Sequence, residues 1–228
     1  MRPIETIFLD AGGVLVWPNW QRVADTLRAH GVAADAARLA AADPRARVVI
    51  DRQDAVSSSD DQRRGWSLFE LVFDEAGIPR SDDVRAALEE VQQYHRTENL
   101  WEHVPPFVKP ALRDLKAAGY RLVIVSNSNG TLHHLFDRLG LTPLVDVVFD
   151  SQLERVEKPD RRFFDIALER SGANRDSTVH VGDLYHVDVL GARGAGLEAV
   201  LIDEADLRPD VDCVRIRHIG ELLALLSS

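Results

Sequence analysis

Hydrophobic and polar positions follow two different rhythms along this chain. Residues 4 to 10 form one short apolar run that reads as a buried strand. From about 18 to 98 the spacing is helical, without convincing strands. In "NWQRVADTLRAHG", Trp20, Val23, Ala24 and Leu27 recur on one helix face, with Asn19 as N-cap and Gly31 as stop. The alanine-rich "DAARLAAAD" predicts a short helix, and "PRARVVIDRQDAV" a second one opened by Pro44. "SSSDD", residues 57–61, reads as a connection capping a helix over 62–76, whose apolar face is Trp66, Phe69, Leu71, Val72 and Phe73. "SDDVRAALEEVQQYHR" is amphipathic, with Ser81 as its cap.

After "WEHVPPF" strands and helices alternate. The strands are "RLVIVSN", "VDVVFDS", "TVHVGD" and "EAVLID"; helices start near Phe107, Thr131, Arg161 and Val187, and a last one runs from Ile219 to Leu226. Continuous apolar strands separated by amphipathic helices indicate a parallel sheet covered on both faces. The expected fold is therefore α/β: a Rossmann-like parallel-sheet core over residues 1–17 and 99–228, interrupted after its first strand by an all-helical domain over 18–98.

Composition narrows the function. The chain has 228 residues, 45% of them apolar, enough for a substantial core. A net charge of −10 disfavours a nucleic-acid surface, so an anionic ligand must meet positive charge supplied locally. The single Cys213 excludes an internal disulfide and reads as a small buried residue in a strand-like stretch. No targeting segment is expected, and no run reaches the about 18 apolar residues of a membrane span, which makes the default a cytoplasmic protein without a membrane partner.

Open α/β sheets bind ligands beyond the carboxyl ends of their strands. Three strands here end in polar residues: Asp10 after "TIFL", Ser126 and Asn127 after "LVIV", and Asp183 after "TVHVG". Lys158, in "VEKPD", precedes a helix on the same side, with Pro159 expected to fix the helix start. Two carboxylates and a lysine suit phosphate chemistry. Asp10 and Asp183 are hard oxygen donors of the kind Mg²⁺ takes, Lys158 adds a point charge, and the Ser126 hydroxyl adds a neutral donor. A carboxylate can also attack phosphorus to give an aspartyl-phosphate that water cleaves.

The ordered set "DAGGVL", "VIVSN", "EKPD" and "GDLYHVD", with steps of 116, 32 and 25 residues from Asp10 to Ser126, Lys158 and Asp183, resembles the haloacid dehalogenase (HAD) superfamily, in the branch with a helical cap after the first core strand. The resemblance implies that Asp10 is the nucleophile and a Mg²⁺ ligand. It implies the Gly12 carbonyl and Asp183 as further ligands, Ser126 and Asn127 as holders of the transferring group, and Lys158 as the balancing charge. It also implies that Asp188 supports Lys158 or a metal-bound water, whereas the residue by itself reads as a helix N-cap. The implied activity is a phosphatase of a small phosphorylated metabolite.

Family phosphatases usually carry a second aspartate where this chain has Gly12, an acid/base typically worth ~10²–10⁴-fold. Three readings stay open: a phosphatase with its acid/base elsewhere, with Asp51, Asp54, His95, Glu98 and His103 as candidates; a carbon–halogen hydrolase; and a weakly active or non-catalytic relative that binds a phosphorylated ligand or a protein. "VGDLYHVD" counts against the second, because it keeps the metal-ligand aspartate.

Other features have plainer readings. "GARGAG", residues 191–196, lacks the dinucleotide-loop order and predicts tight helix-end packing. A receiver-type phosphoacceptor domain shares the strand-end aspartate and lysine but not the helical insertion. His133 and His134 read as exposed or packing residues, while His186 reads equally as a loop residue or a substrate contact. Trp17, Pro18 and Trp20 read as packing or as a wall that excludes water. Arg45, Arg47 and Arg52 read as a solvated face or as a hold on an anionic tail. Substrate identity and oligomeric state are not legible.

Overall fold

A computed structural model of the protein describes residues 3–52, 56 and 61–227. The chain divides into two compact units, residues 18–103 and the remainder, 1–17 with 104–228.

The larger unit is built on six parallel strands, β1 (Thr6–Leu9), β2 (Arg121–Ser126), β3 (Val147–Asp150), β4 (Thr178–Gly182), β5 (Glu198–Ile202) and β6 (Val214–Ile216), in the order β3-β2-β1-β4-β5-β6. This is the doubly wound Rossmann-like order, with its reversal beside β1. Leu9 pairs with Ile124 on one side and Val181 on the other, so the residues that follow β1, β2 and β4 emerge at one edge. Alternate strand residues fill two cores. Phe8, Val123 and Val125 pack with Phe163, Phe164 and Val189, while Ile7, Leu9, Leu122 and Ile124, on the opposite side of the pleat, are equally buried.

The helical unit carries α1 (Trp20–Ala29), α2 (Ala36–Ile50), α3 (Asp61–Glu75) and α4 (Asp82–Glu98). Asn19 and Ser81 cap α1 and α4 as expected, accepting from Arg22 N and Val84 N. Pro44 does not open a helix. It lies inside α2, because the buried stripe Leu39, Ala42, Ala46 and Ile50 runs unbroken across it. In α3, Leu68 joins Phe69, Val72 and Phe73 in the core, whereas Trp66 and Leu71 stay half-buried. Residues 57–60 of the expected capping connection lie outside the described residues. Residues 99–103, expected with the sheet, are tied to the helices: Leu100 O accepts from Asn19 N, and Glu102 accepts from Asn19, Arg22 and Tyr94.

The remaining helices belong to the α/β unit: α5 (Val108–Ala117), α6 (Leu132–Leu139), α7 (Ser151–Glu154), α8 (Arg161–Ser171), α9 (Leu190–Gly194) and α10 (Leu222–Leu226). The helix expected near Val187 begins instead as a π-turn over Tyr185–Val189, and a 3₁₀ turn over Ile219–Glu221 precedes α10. Cys213 precedes β6 and is half-buried rather than buried, because β6 is a short edge strand. No helix among the described residues is long and apolar enough to cross a membrane.

The interior proline gives a direct test. Pro44→Ala restores a donor for the Ala40 carbonyl and should stabilise the protein by about 1–3 kcal/mol, seen as a higher urea midpoint. A lower midpoint would show that packing of the ring outweighs the missing hydrogen bond.

Candidate active site

Asp10 continues β1 by one residue, its N–H donating to Val181 O at 2.9 Å. The chain then folds back at once: Leu15 N and Val16 N both donate to Ala11 O, and Gly13 N donates to Val16 O. Gly13 takes φ +69°, a left-handed conformation that a β-carbon would strain. Gly12 sits inside this turn, next to the carboxylate.

From β2, Ser126 is buried, and its hydroxyl makes only a long 3.3 Å bond to Asn127 O. Asn127 reaches the main chain of the loop that carries Lys158. Its Oδ1 accepts from Lys158 N at 2.7 Å and its Nδ2 donates to Lys158 O at 3.0 Å, so the amide clamps the lysine main chain. The loop after Asn127 is held from β3. Asp150 accepts from Gly130 N, Leu132 N and Gln152 N, and Ser151 Oγ accepts from Ser128 N. Pro159 does not start the next helix; Asp160 does, as the N-cap that accepts from Arg162 N.

Lys158 is 1% exposed, and its ammonium lies between two carboxylates. Nζ is 2.6 Å from Asp188 Oδ1 and 2.9 Å from Asp10 Oδ1. The contact with Asp10 is an ion pair without hydrogen-bond directionality, for Oδ1 is buried with no hydrogen-bond partner among the described atoms. Burial works to lower the ammonium's pKa, yet Asp10 and Asp188 outweigh it and hold the group above the ordinary lysine range. For Asp188, burial pushes upward, but Lys158 and His180 prevail and keep its carboxyl well below the usual carboxylate range.

Asp188 is not a helix N-cap. It sits fully buried on the π-turn, where Oδ1 accepts from Lys158 and from His180 Nε2 at 2.9 Å, and Oδ2 accepts from Leu184 N at 3.0 Å. The turn brings it against the end of β4 so closely that a β-carbon on Gly182 would lie 2.1 Å from Asp188 Cγ. Gly191 has a similar reason: its β-carbon would meet Pro159 Cα at 3.0 Å, which is the tight packing expected of "GARGAG".

Asp10, Asp183 and Asp188 are buried and offer oxygens within 4.8 Å of one another. Three carboxylates gather at the Lys158 ammonium, and Asp10 Oδ1 is buried beside it without a directed hydrogen bond among the described atoms. The donors are all hard oxygens, so the cluster fits a divalent cation of the Mg²⁺ type. Asp188 already serves three donors, which leaves Asp10 and Asp183 as the acidic pair facing such an ion.

Several residues around the site were not singled out from sequence: His180, Asp150, Ser151 and Arg208, whose Nη1 donates to Asp183 O at 2.9 Å. The signals were faint. His180 passes as one position of an apolar strand, Asp150 as a strand tail, and Arg208 lies in a loop. Other expectations resolve simply. His133 and His134 are exposed on α6, and His186 is half-buried beside Tyr185. Trp17 packs edge-on against Phe107, while Trp20 is buried and donates to Asp43.

The acid/base candidates lie in the helical unit, apart from Asp54, which is outside the described residues. Asp51 is buried, Glu98 half-buried and His103 exposed. His95 packs between Trp66 and Trp101, accepts from Leu100 N, and has its pKa lowered to about 4 by burial and then by Arg96. In the same unit Arg45 pairs with Glu75 and Arg47 with Asp43, while Arg52 is exposed.

A family model of haloacid dehalogenase-like hydrolases matches residues 4–196, and the chain belongs to that family. It is similar to a glyceraldehyde 3-phosphate phosphatase of Methanothermobacter thermautotrophicus, 35% identical over 111 residues, 48% of this chain and 49% of the relative. A ribulose-1,5-bisphosphate 5-phosphatase of Halopiger xanaduensis is 35% identical over 134 residues, 54% of this chain and 56% of the relative. The matches thus span about half the length of these curated relatives. Among solved structures, the magnesium-bound YfnB of Bacillus subtilis, of the HAD-hydrolase class, has the same fold at a TM-score of 0.72 and 18% identity, with 100% of both chains covered.

The buried ion pair sets a pH test. Asp188→Asn leaves Lys158 with one carboxylate, a loss of about 3–5 kcal/mol at neutral pH. A carboxyl whose pKa is depressed on folding contributes stability above its unfolded value, about 3.9, and loses it as pH falls through the folded value. The gap in urea stability between wild type and Asp188→Asn should therefore be constant above about pH 5 and shrink below about pH 4. A gap as wide at pH 3 as at pH 7 would contradict the assignment.

Proposed function

We propose that the protein is a Mg²⁺-dependent phosphatase that acts on a small phosphorylated metabolite through an aspartyl-phosphate on Asp10. The observation that carries this reading is the Asp10 carboxylate at the end of β1, 2.9 Å from a buried lysine and within 4.8 Å of the Asp183 carboxylate. The phosphatases among the relatives, named for a triose phosphate and a pentulose bisphosphate, support a small phosphomonoester as substrate.

In this reading Asp10 and Asp183, with the Gly12 carbonyl, would hold Mg²⁺. The bound ion supplies positive charge for the phosphoryl oxygens. Asp10 attacks phosphorus through a carboxylate oxygen, the bond from phosphorus to the ester oxygen breaks, and the leaving alkoxide takes up a proton. Lys158 balances the charge of Asp10 before the transfer and that of the phosphoryl group during it. The Ser126 hydroxyl donates to a phosphoryl oxygen. Asn127 contributes by fixing the lysine main chain, through which its amide acts on the bound group. Water then cleaves the acyl phosphate, releasing inorganic phosphate and restoring Asp10. The helical unit is inserted in the sequence at residue 18, soon after Asp10, which supports a role for it in selecting the substrate.

Gly12 brings no side chain for the two proton transfers, which makes breakdown of the aspartyl-phosphate the slow step. Rapid-quench assays with Mg²⁺ and p-nitrophenyl phosphate should give a burst of p-nitrophenol of about one equivalent per site, followed by slow turnover. Asp10→Asn should abolish both phases, and Gly12→Asp should raise the slow phase by ~10²-fold or more. The proposal fails if the wild type releases no phosphate from p-nitrophenyl phosphate, glyceraldehyde 3-phosphate or phosphoglycolate. It also fails if Asp10→Asn retains full activity. Halide release from 2-haloacids would point to carbon–halogen hydrolysis instead.

A further inference from the structure

We infer that His180 is a positioning residue of this site: as the neutral imidazole with its proton on Nε2, it shares Asp188 Oδ1 with Lys158 and so sets how firmly Asp188 holds the ammonium that faces Asp10. The inference rests on the phosphatase reading for its consequence in turnover but not for its geometry.

His180 stands on β4 at a position otherwise suited to an apolar side chain. It is fully buried, and the edge of Phe164 from α8 meets its ring at 5.1 Å and 83°, which fixes the imidazole plane. Nδ1 is buried with no hydrogen-bond partner among the described atoms. Nε2 lies 2.9 Å from Asp188 Oδ1. A carboxylate oxygen accepts and does not donate, so the proton belongs on Nε2, and the unpartnered Nδ1 is left bare. Burial keeps the ring uncharged, the nearby Lys158 charge works in the same direction, and the bond to Asp188 does not overcome them. An unpartnered nitrogen in an apolar core is costly, and a valine or phenylalanine would avoid it. A polar residue that breaks the local pattern of a core strand is the kind of inconsistency expected beside a functional site.

The arrangement has a specific consequence. Oδ1 of Asp188 accepts from both Lys158, at 2.6 Å, and His180, while Oδ2 is held by Leu184 N. With the imidazole proton on Oδ1, less negative charge remains for the ammonium on that side. The balance shifts toward Asp10, where Lys158 is needed once the phosphoryl group arrives. Without that donor, Oδ1 draws Lys158 more strongly, away from Asp10.

Glutamine and methionine separate donation from packing. Both are unbranched and of similar length, but only glutamine can place an N–H near the Nε2 position. His180→Met should lower the rate constant of the p-nitrophenol burst by about 10-fold with its half-saturating substrate concentration nearly unchanged, and His180→Gln should recover most of the loss. Thermal melts verify that each variant is folded. In the wild type, ¹⁵N-histidine NMR at pH 7 should show His180 protonated at Nε2 and bare at Nδ1, and Asp188→Asn should shift that Nε2 proton resonance. Equal burst rate constants for the two variants, or a protonated Nδ1, would overturn the inference. Should the wild type release no phosphate at all, the proposed function falls while the NMR result still decides the role of His180.

Discussion

The α/β unit is organised around one buried charge. Lys158 has lost nearly all contact with water, and an ammonium in that state persists only if carboxylates compensate it closely. Asp10 and Asp188 do so from opposite directions in the chain, one from the end of β1 and one from the turn after β4. The surrounding details follow from that demand. Asn127 clamps the lysine main chain, Gly182 lacks the β-carbon that Asp188 would strike, and the π-turn swings Asp188 inward instead of leaving it to cap a helix. Removing any one of these loosens the geometry of the others, because they share the same few atoms.

Parallel pairing supplies the rest. Placing β1 between β2 and β4 puts Asp10, Ser126 and Asp183 at one edge with no long-range search by side chains. The positions next to them are then braced by main-chain hydrogen bonds. Asp150 gathers the loop after Asn127, and Arg208 fastens the carbonyl of Asp183. Three carboxylate or amide side chains near the strand ends, Asn127, Asp150 and Asp188, thus hold backbone groups or buried side chains in place.

This division explains what could be read from sequence. Asp10, Ser126, Lys158 and Asp183 were legible because each follows an apolar strand or precedes a helix, and strand ends converge in a parallel sheet. The manner in which Asp188 and Asn127 act was not legible, since both depend on which partner each side chain meets. His180 was hidden by its neighbours: "TVHV" reads as a core strand whatever the third residue does. Pro44 misled for a related reason, because a local helix-breaking rule lost to a continuous buried stripe on both sides of it.

The electrostatics of the cluster also bear on the proposed metal requirement. A phosphate monoester is an anion, and the protein carries a net charge of −10. Lys158 is a buried cation of the cluster, but two carboxylates already share its charge at 2.6 and 2.9 Å, so it offers the substrate little positive field of its own. Asp183 adds a third carboxylate to the cluster, while the Arg208 guanidinium meets the same residue at its main-chain carbonyl. On the phosphatase reading, a divalent cation held by Asp10 and Asp183 would supply the positive charge that the phosphoryl group needs. Lys158 would then count as positive toward substrate, because Asp10 would have a second partner. On that reading the lysine and the metal would be complementary halves of one charge balance.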